Sequence, residues 1–221
     1  MAFFRRHPQP TAGSVPPIPP REQRVLIRES DRRNYTSHGY RALTSYAFAK
    51  DIIPGKLVGL IHDQLTEGGG SPERSAVWVG VHDVDLGRGV AAVMGEKYSS
   101  AGATFGESLP RDGDESVAGR SLSTVLLSSP DGGRAERDRV RRVVALAQQY
   151  ADRFTTVEQV RFAVVDQLSQ QRFPTGRRVR LALAAAWSGQ HDVAENMTVA
   201  LTAELGAPAI ERLRELQSHR P

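Results

Sequence analysis

The chain of 221 residues contains no cysteine. Disulfides, iron–sulfur clusters, thiolate zinc sites and cysteine nucleophiles are therefore excluded. No apolar run approaches the roughly 20 residues that a membrane-spanning helix needs, and the opening stretch MAFFRRHPQPTAG lacks the apolar core of a secretory signal. Charged residues make up 24% of the chain, which is ordinary for a soluble globular protein. We therefore expect a cytoplasmic protein with one sizeable core and no membrane partner.

Lysine is also scarce, because Lys50, Lys56 and Lys97 are the only three among 29 basic residues. The planar guanidinium of arginine pairs with phosphate and carboxylate groups better than the ammonium of lysine does. A GC-rich genome produces the same bias without any functional cause. The net charge of +4 is small, so a nucleic-acid interface would depend on local clustering of arginines.

Prolines crowd the first 20 residues, which end in SVPPIPP. Proline removes backbone donors and favours extended polyproline geometry. We therefore predict that residues 1–24 form an arm or linker outside the packed core. The apolar side chains of Phe3, Phe4 and Ile18 are its predicted contacts with a protein partner.

Residues 134–219 show the i, i+3, i+4 apolar spacing of helices, beginning with Val140, Val143 and Ala147. Thr155 and Glu158 have the spacing of a capping box, and Asp192 is a predicted N-cap. Gly189 is a predicted helix stop. This segment predicts five short helices joined by tight turns, which together form a C-terminal helical bundle.

The region 25–127 is expected to be mixed but mostly helical. Two helices are predicted over residues 39–66 with a break at IIPG, loops over 99–116 and 128–133, and a short helix at VAGRSLSTVLL. Ser71, Pro72 and Glu73 are typical of a helix start, whereas Val77, Trp78 and the valines that follow favour a strand. The fold class predicted from the whole chain is mainly α. It is a compact bundle or stack of short helices, with an extended Pro-rich arm and at most a minor β element near residues 76–84.

The stretch RNYTSHGY, residues 33–40, resembles the RNxxxH signature of HEPN-domain ribonucleases. The resemblance implies that Arg33 orients the scissile phosphate and that His38 acts as acid or base on RNA. Cleavage without a metal needs a cation and a group that titrates near neutrality, and these two residues provide both. The other interpretation of the same stretch, which we prefer, is an ordinary helix start at which His38 lies.

The dipeptide His-Asp occurs three times, as His62-Asp63, His82-Asp83 and His191-Asp192. The stretch KLVGLIHDQLTEGG around the first of these resembles the core of HD-domain phosphohydrolases. That resemblance implies a divalent metal held by His62 and Asp63, with His38 as the upstream ligand and Asp85 or Asp114 as the downstream ligand. No cofactor is expected unless this metal site exists.

Two groups of arginines form candidate contacts with nucleic acid. Arginines on helices can hold phosphates without reading sequence. Glu136 and Asp138 lie among the first group and favour a solvated, ion-paired face instead. The first group is Arg134, Arg137, Arg141 and Arg142, and the second is Arg177, Arg178 and Arg180.

Three functions stay open at this point. The one we prefer is a non-catalytic helical subunit or adaptor of a larger assembly, which docks through its arm and helical faces onto protein partners or onto copies of itself. Virions and nucleoprotein particles are among the assemblies that this hypothesis covers, since the composition fits a bacterium or its phage equally well. The alternatives are a phosphate-cleaving enzyme of the HD or HEPN type and a non-sequence-specific nucleic-acid-binding protein.

Overall fold

We describe residues 19–68, 71–102, 104–109, 133–168 and 173–221 of a computed structural model, without the side chains of residues 66–68, 71 and 73–76. The predicted arm contacts Phe3, Phe4 and Ile18 lie outside these ranges. So do Asp114 and the helix predicted at residues 117–127.

The described residues contain five strands and seven helices. The strands are β1 (Arg41–Ala42), β2 (Ala47–Ile53), β3 (Leu57–Gly68), β4 (Ser71–Asp83) and β5 (Phe105–Ser108). The helices are α1 (Pro20–Ser37), α2 (Val84–Met94), α3 (Gly133–Ala151), α4 (Val157–Leu168), α5 (Thr175–Trp187), α6 (His191–Leu201) and α7 (Ala207–Ser218). None of these helices is long and apolar enough to cross a membrane.

The prediction of a mainly α protein is wrong, because the first half of the chain builds an antiparallel sheet in the order β1-β2-β3-β4-β5. The two helices predicted over residues 39–66 are β1, β2 and β3, and the minor β element near 76–84 belongs to a strand of 13 residues. In β3, both neighbours in the pairs Leu57-Val58 and Leu60-Ile61 are buried. Apolar side chains on both faces remove the alternation that reveals a half-buried strand.

The IIPG sequence is a hairpin turn and does not separate two helices. Lys56 N donates to the Ile53 carbonyl at 3.0 Å, and Gly55 has φ +72°. Proline followed by glycine at these positions is typical of a type II turn, since proline presets φ and glycine tolerates a positive φ. A second hairpin brings Gly68 opposite Ser71. Both turns had a glycine signal in the sequence.

The five C-terminal helices are confirmed, as α3 to α7. The proposed capping details differ. The box is formed by Thr156 and Gln159: Thr156 Oγ1 accepts from Gln159 N at 3.3 Å, and Gln159 Oε1 accepts from Thr156 N at 3.2 Å. Asp192 lies in the first turn of α6, whose N-cap is Gln190. Gly189 ends α5 as predicted, with φ +81°.

Two large hydrophobic cores result from this arrangement, beside a smaller one around Val58 and Leu60. One lies between a face of the sheet and α3, where Val79, Val81, Val140 and Val143 pack together with Tyr35 of α1. The other joins α2 to the helices α4 to α7 around Leu183 and Trp187. Helix α1 begins at Pro20, within the residues 1–24 that were predicted as an arm or linker.

Candidate functional site

The stretch RNYTSHGY is the end of α1, so our interpretation of it as a helix start is wrong. Gly39 N donates to the Thr36 carbonyl at 3.0 Å and Tyr40 N donates to the Tyr35 carbonyl at 3.1 Å, while Gly39 has φ +83°. These two bonds define a Schellman motif, and the rings of Tyr35 and Tyr40 supply its usual apolar contact at 6.4 Å. His38 is the C-cap residue of the helix.

Among the surface hollows described for the ranges above, none is lined by both Arg33 and His38, the residues of the ribonuclease resemblance. Arg33 is exposed on α1, with its guanidinium 4.0 Å from the Glu29 carboxylate. It lines a shallow surface hollow with Glu29, Arg32 and Thr36, and His38 is not among the residues of that hollow.

His62 and Asp63, the residues of the phosphohydrolase resemblance, lie on β3 rather than on a helix, so their side chains point to opposite faces of the sheet. The His62 ring lies 5.2 Å from the Trp78 ring and 6.1 Å from the Tyr46 ring, and burial lowers its pKa. Asp85 lies in the first turn of α2, 3.7 Å from Arg88. Within the described ranges, no group of three or more His, Asp or Glu side chains is arranged to hold a metal.

Asp63 instead belongs to a buried ionic cluster between α1, β3 and α3, built around Arg139. Arg139 Nη2 donates to Asp63 Oδ2 at 2.8 Å, to Asp31 Oδ1 at 3.1 Å and to Glu136 Oε1 at 2.7 Å. Tyr35 Oη donates to Asp63 Oδ2 at 2.9 Å. The three carboxylates hold the pKa of Arg139 above its usual range, although burial alone would lower it. The arrangement ties two helices to the sheet.

Arg139 was not singled out from the sequence because it stands among four other arginines in RAERDRVRR. The feature of the sequence that indicates its burial is its position in the helical repeat. Glu136, Arg139, Val143 and Ala147 recur at helical spacing on the face that carries the apolar stripe, and all four are buried. A charged residue within such a stripe predicts a buried ion pair. The four arginines that we singled out on this helix have solvent-exposed positions, where Arg141 pairs with Asp138 at 2.9 Å.

A second buried ion pair joins Asp83 to Arg161, with Arg161 Nε donating to Asp83 Oδ2 at 2.9 Å. The other carboxylate oxygen caps α2 by accepting from Asp85 N and Leu86 N, both at 3.0 Å. The Arg161 guanidinium lies over the Trp187 ring at 4.9 Å. The second His-Asp dipeptide therefore links the sheet to the C-terminal helices.

His82, next to this pair, is buried as a neutral imidazole. Its Nε2 lies 2.9 Å from Tyr98 Oη and its Nδ1 lies 3.4 Å from Thr104 Oγ1. Burial, together with the charge of Arg180, lowers the pKa of His82 from 6.5 to about 4. A Cβ on Gly87 would lie 2.5 Å from its Cε1 atom, so the imidazole has no room to move away from its partners.

This depressed pKa predicts acid sensitivity. Because the neutral form is favoured in the folded state, the stabilisation is complete above the unfolded pKa of 6.5 and is lost as the pH falls towards about 4. The difference between the unfolded and folded pKa values of His82 corresponds to about 3 kcal/mol in the free energy of unfolding. Urea unfolding between about pH 7 and pH 4 should show a smaller loss of stability for His82→Gln than for the wild type. Equal losses in the two proteins would contradict this role.

An open groove lies along α1, where α1 faces β2 and the segment that joins β1 to β2. We call it the α1 groove. It has a volume of about 440 Å³, and its lining includes Val25, Arg28, Glu29, Arg32, Leu43 and Phe48. Val25 is 50% exposed although it is a large apolar residue. Arg28 and Arg32 are exposed and lie one helical turn apart on the same side of α1.

The second group of predicted arginines is divided by the structure. Arg178 of α5 pairs with Glu204, which also accepts from Thr175 Oγ1 at 2.8 Å. Arg177 and Arg180 instead line a pocket beside Trp78 and Phe105. The three arginines thus do not form one continuous face.

Comparison of the chain with protein-family models, with curated proteins and with solved structures found no match.

Proposed function

We propose that this protein is a non-catalytic subunit or adaptor that docks an acidic, partly apolar segment of a protein partner in the α1 groove. The observation that carries the proposal is the pairing of two exposed arginines with an exposed valine along one side of α1. Arg28 and Arg32 would each accept a carboxylate in their planar fork. Val25 and Leu43 would take an apolar side chain between them, as grooves that bind peptides do.

The position of the catalytic candidates supports a role without catalysis. The hollow that Arg33 lines does not include His38, and Asp63 accepts hydrogen bonds from Arg139 and Tyr35 on the opposite face of the sheet from His62. His82 is neutral and held by Tyr98. A phosphate-cleaving enzyme would need such groups to converge on one reacting atom.

The lining of the α1 groove favours a peptide over nucleic acid. It combines two arginines with apolar side chains and with one carboxylate, that of Glu29. A phosphate backbone would meet this carboxylate without gaining from Val25 or Leu43. The exposed arginines Arg134 and Arg141 of α3 share Asp138 as a partner, which weakens their attraction for phosphate.

The proline-rich arm extends the proposed docking region. It joins the chain at Pro20, about one and a half helical turns before Val25. Phe3, Phe4 and Ile18, which lie outside the described residues, are retained as proposed partner contacts.

The proposal predicts tighter binding of an acidic peptide than of nucleic acid. The probe is a fluorescent peptide of about twelve residues in which Asp and Glu alternate with Leu and Phe. Its anisotropy should rise on titration with the full chain, and Arg28→Gln/Arg32→Gln should weaken binding by about tenfold or more. The matched control, Arg134→Gln/Arg141→Gln, removes the same charge from exposed positions of α3 and should have less than a twofold effect.

Two outcomes would overturn this function. Equal weakening by both double variants would show non-specific attraction between the peptide and a basic protein. Tighter binding of a single-stranded oligonucleotide of equal charge would instead favour the nucleic-acid alternative.

A further inference from the structure

A second, smaller pocket lies where β5 meets the end of α4 and the start of α5, away from the α1 groove. Its volume is about 220 Å³. Its lining includes Trp78, Phe105 and Phe173, together with Arg177 and Arg180. No acidic side chain of the described residues lines it.

The two arginines of this pocket have no carboxylate partner within the described ranges. Arg180 Nε is buried and, in the same part of the chain, lacks a hydrogen-bond acceptor. Burial and the neighbouring charge of Arg177 both lower the pKa of Arg180. Arg177 lies over the Phe173 ring at 5.4 Å. Two cations that face one hollow without an anion repel each other, and a bound anion would remove that repulsion.

The aromatic wall of the pocket depends on two glycines. Gly80 of β4 lies opposite Gly106 of β5 in the sheet. The Trp78 indole lies flat across both, so that a Cβ at either position would overlap the ring. An indole held flat in this way presents its face, which is the surface on which a planar apolar group stacks.

We infer that this pocket binds a small organic anion that has a single-ring aromatic body and one carboxylate or phosphate group. A cavity of about 150 Å³ is enough to hold benzene, so 220 Å³ leaves room for a ring and one acid group. The ring stacks against Trp78, and the acid group accepts from the guanidinium groups of Arg177 and Arg180. This site is independent of the α1 groove and of the function proposed for it.

Isothermal titration of the full chain tests the inference with benzoate and phenyl phosphate as probes. At least one of them should bind saturably with one site per chain, and the tighter of the two identifies the acid group. Benzamide, which is neutral, and inorganic phosphate, which has no ring, should each bind about tenfold more weakly or not at all.

Variants on α5 separate this site from a general effect of charge. Arg180→Met should weaken binding of the tighter probe by about tenfold or more, and so should Arg177→Met, which keeps the test valid if the first variant does not fold. The matched control is Arg178→Met on the same helix, because Arg178 pairs with Glu204 and does not line the pocket. It should change the affinity by less than twofold.

Three results would overturn the inference. The first is the absence of saturable binding by both aryl anions. The second is equal affinity for benzoate and benzamide, which would make the pocket purely apolar. The third is an equal loss of affinity in Arg178→Met and Arg180→Met.

Discussion

Replacing Arg139 by alanine is expected to lower the free energy of unfolding by about 3–5 kcal/mol, because it leaves buried carboxylates without their shared cation. Asp31 and Asp63 are each about 1% exposed, and both accept a hydrogen bond from Arg139 Nη2. Tyr35 would still donate to Asp63, but a neutral hydroxyl does not compensate a buried negative charge. A typical domain is stable by only about 5–15 kcal/mol, so this single change removes a large share of the total.

Urea unfolding of the wild type, Arg139→Ala and Arg139→Lys measures the effect. The lysine variant keeps the charge but loses the second donor, Arg139 Nε, which lies 2.9 Å from Glu136 Oε1, so its stability should lie between those of the other two proteins. Arg141→Ala on the exposed side of the same helix is the control, with an expected change below about 0.5 kcal/mol. Similar losses in Arg139→Ala and Arg141→Ala would show that the cluster does not hold α1 and α3 to the sheet.

Replacing Arg161 by alanine is expected to destabilise the protein by a similar amount, about 3–5 kcal/mol. Arg161 is 2% exposed and Asp83 is fully buried, so the carboxylate loses its buried ionic partner Arg161 while still capping α2. The variant also loses the contact of the guanidinium with the Trp187 ring, which adds to the cost.

The exposed Arg153, 3.7 Å from Glu107, provides the control for this second variant. Arg153→Ala should change the free energy of unfolding by less than about 1 kcal/mol. Tryptophan fluorescence, to which Trp78 and Trp187 both contribute, should change in Arg161→Ala and not in Arg153→Ala, because Arg161 lies over the Trp187 ring. If Arg161→Ala unfolded at the same urea concentration as the wild type, Asp83 would not need its partner, and the pair would not link the sheet to the C-terminal helices.

The C-terminal helices could be predicted because local sequence decides them. Helical spacing, Pro208 at the start of α7 and Gly189 after α5 each act within one or two turns. The sheet could not be predicted from apolar spacing, because β3 is buried on both faces. Glycine-containing turns at Gly55 and at the Gly68–Ser71 connection were the better guide to the hairpins.

The candidate site shows the same contrast between features that local sequence decides and features that only the fold creates. Two short sequence resemblances pointed to His38 and to His62-Asp63. His62 and Asp63 are neighbours on β3, however, and the pleat of a strand directs neighbouring side chains to opposite faces of the sheet. A helix places Arg28 and Arg32 side by side, but only the fold brings Leu43 and Phe48 opposite them. The pocket at Arg180 requires β5 and α5, which are far apart in the chain, to meet.

Nuclear magnetic resonance mapping of the acidic probe peptide on the isotope-labelled full chain tests the docking proposal most directly. If the peptide docks in the α1 groove, the changes in amide chemical shift on adding it are expected to concentrate at residues 21–36 of α1 and at residues 42–48. The Arg28→Gln/Arg32→Gln variant should abolish these changes. Shifts centred on Trp78, His82 or α3 instead, or shifts unchanged in that variant, would contradict docking in the α1 groove.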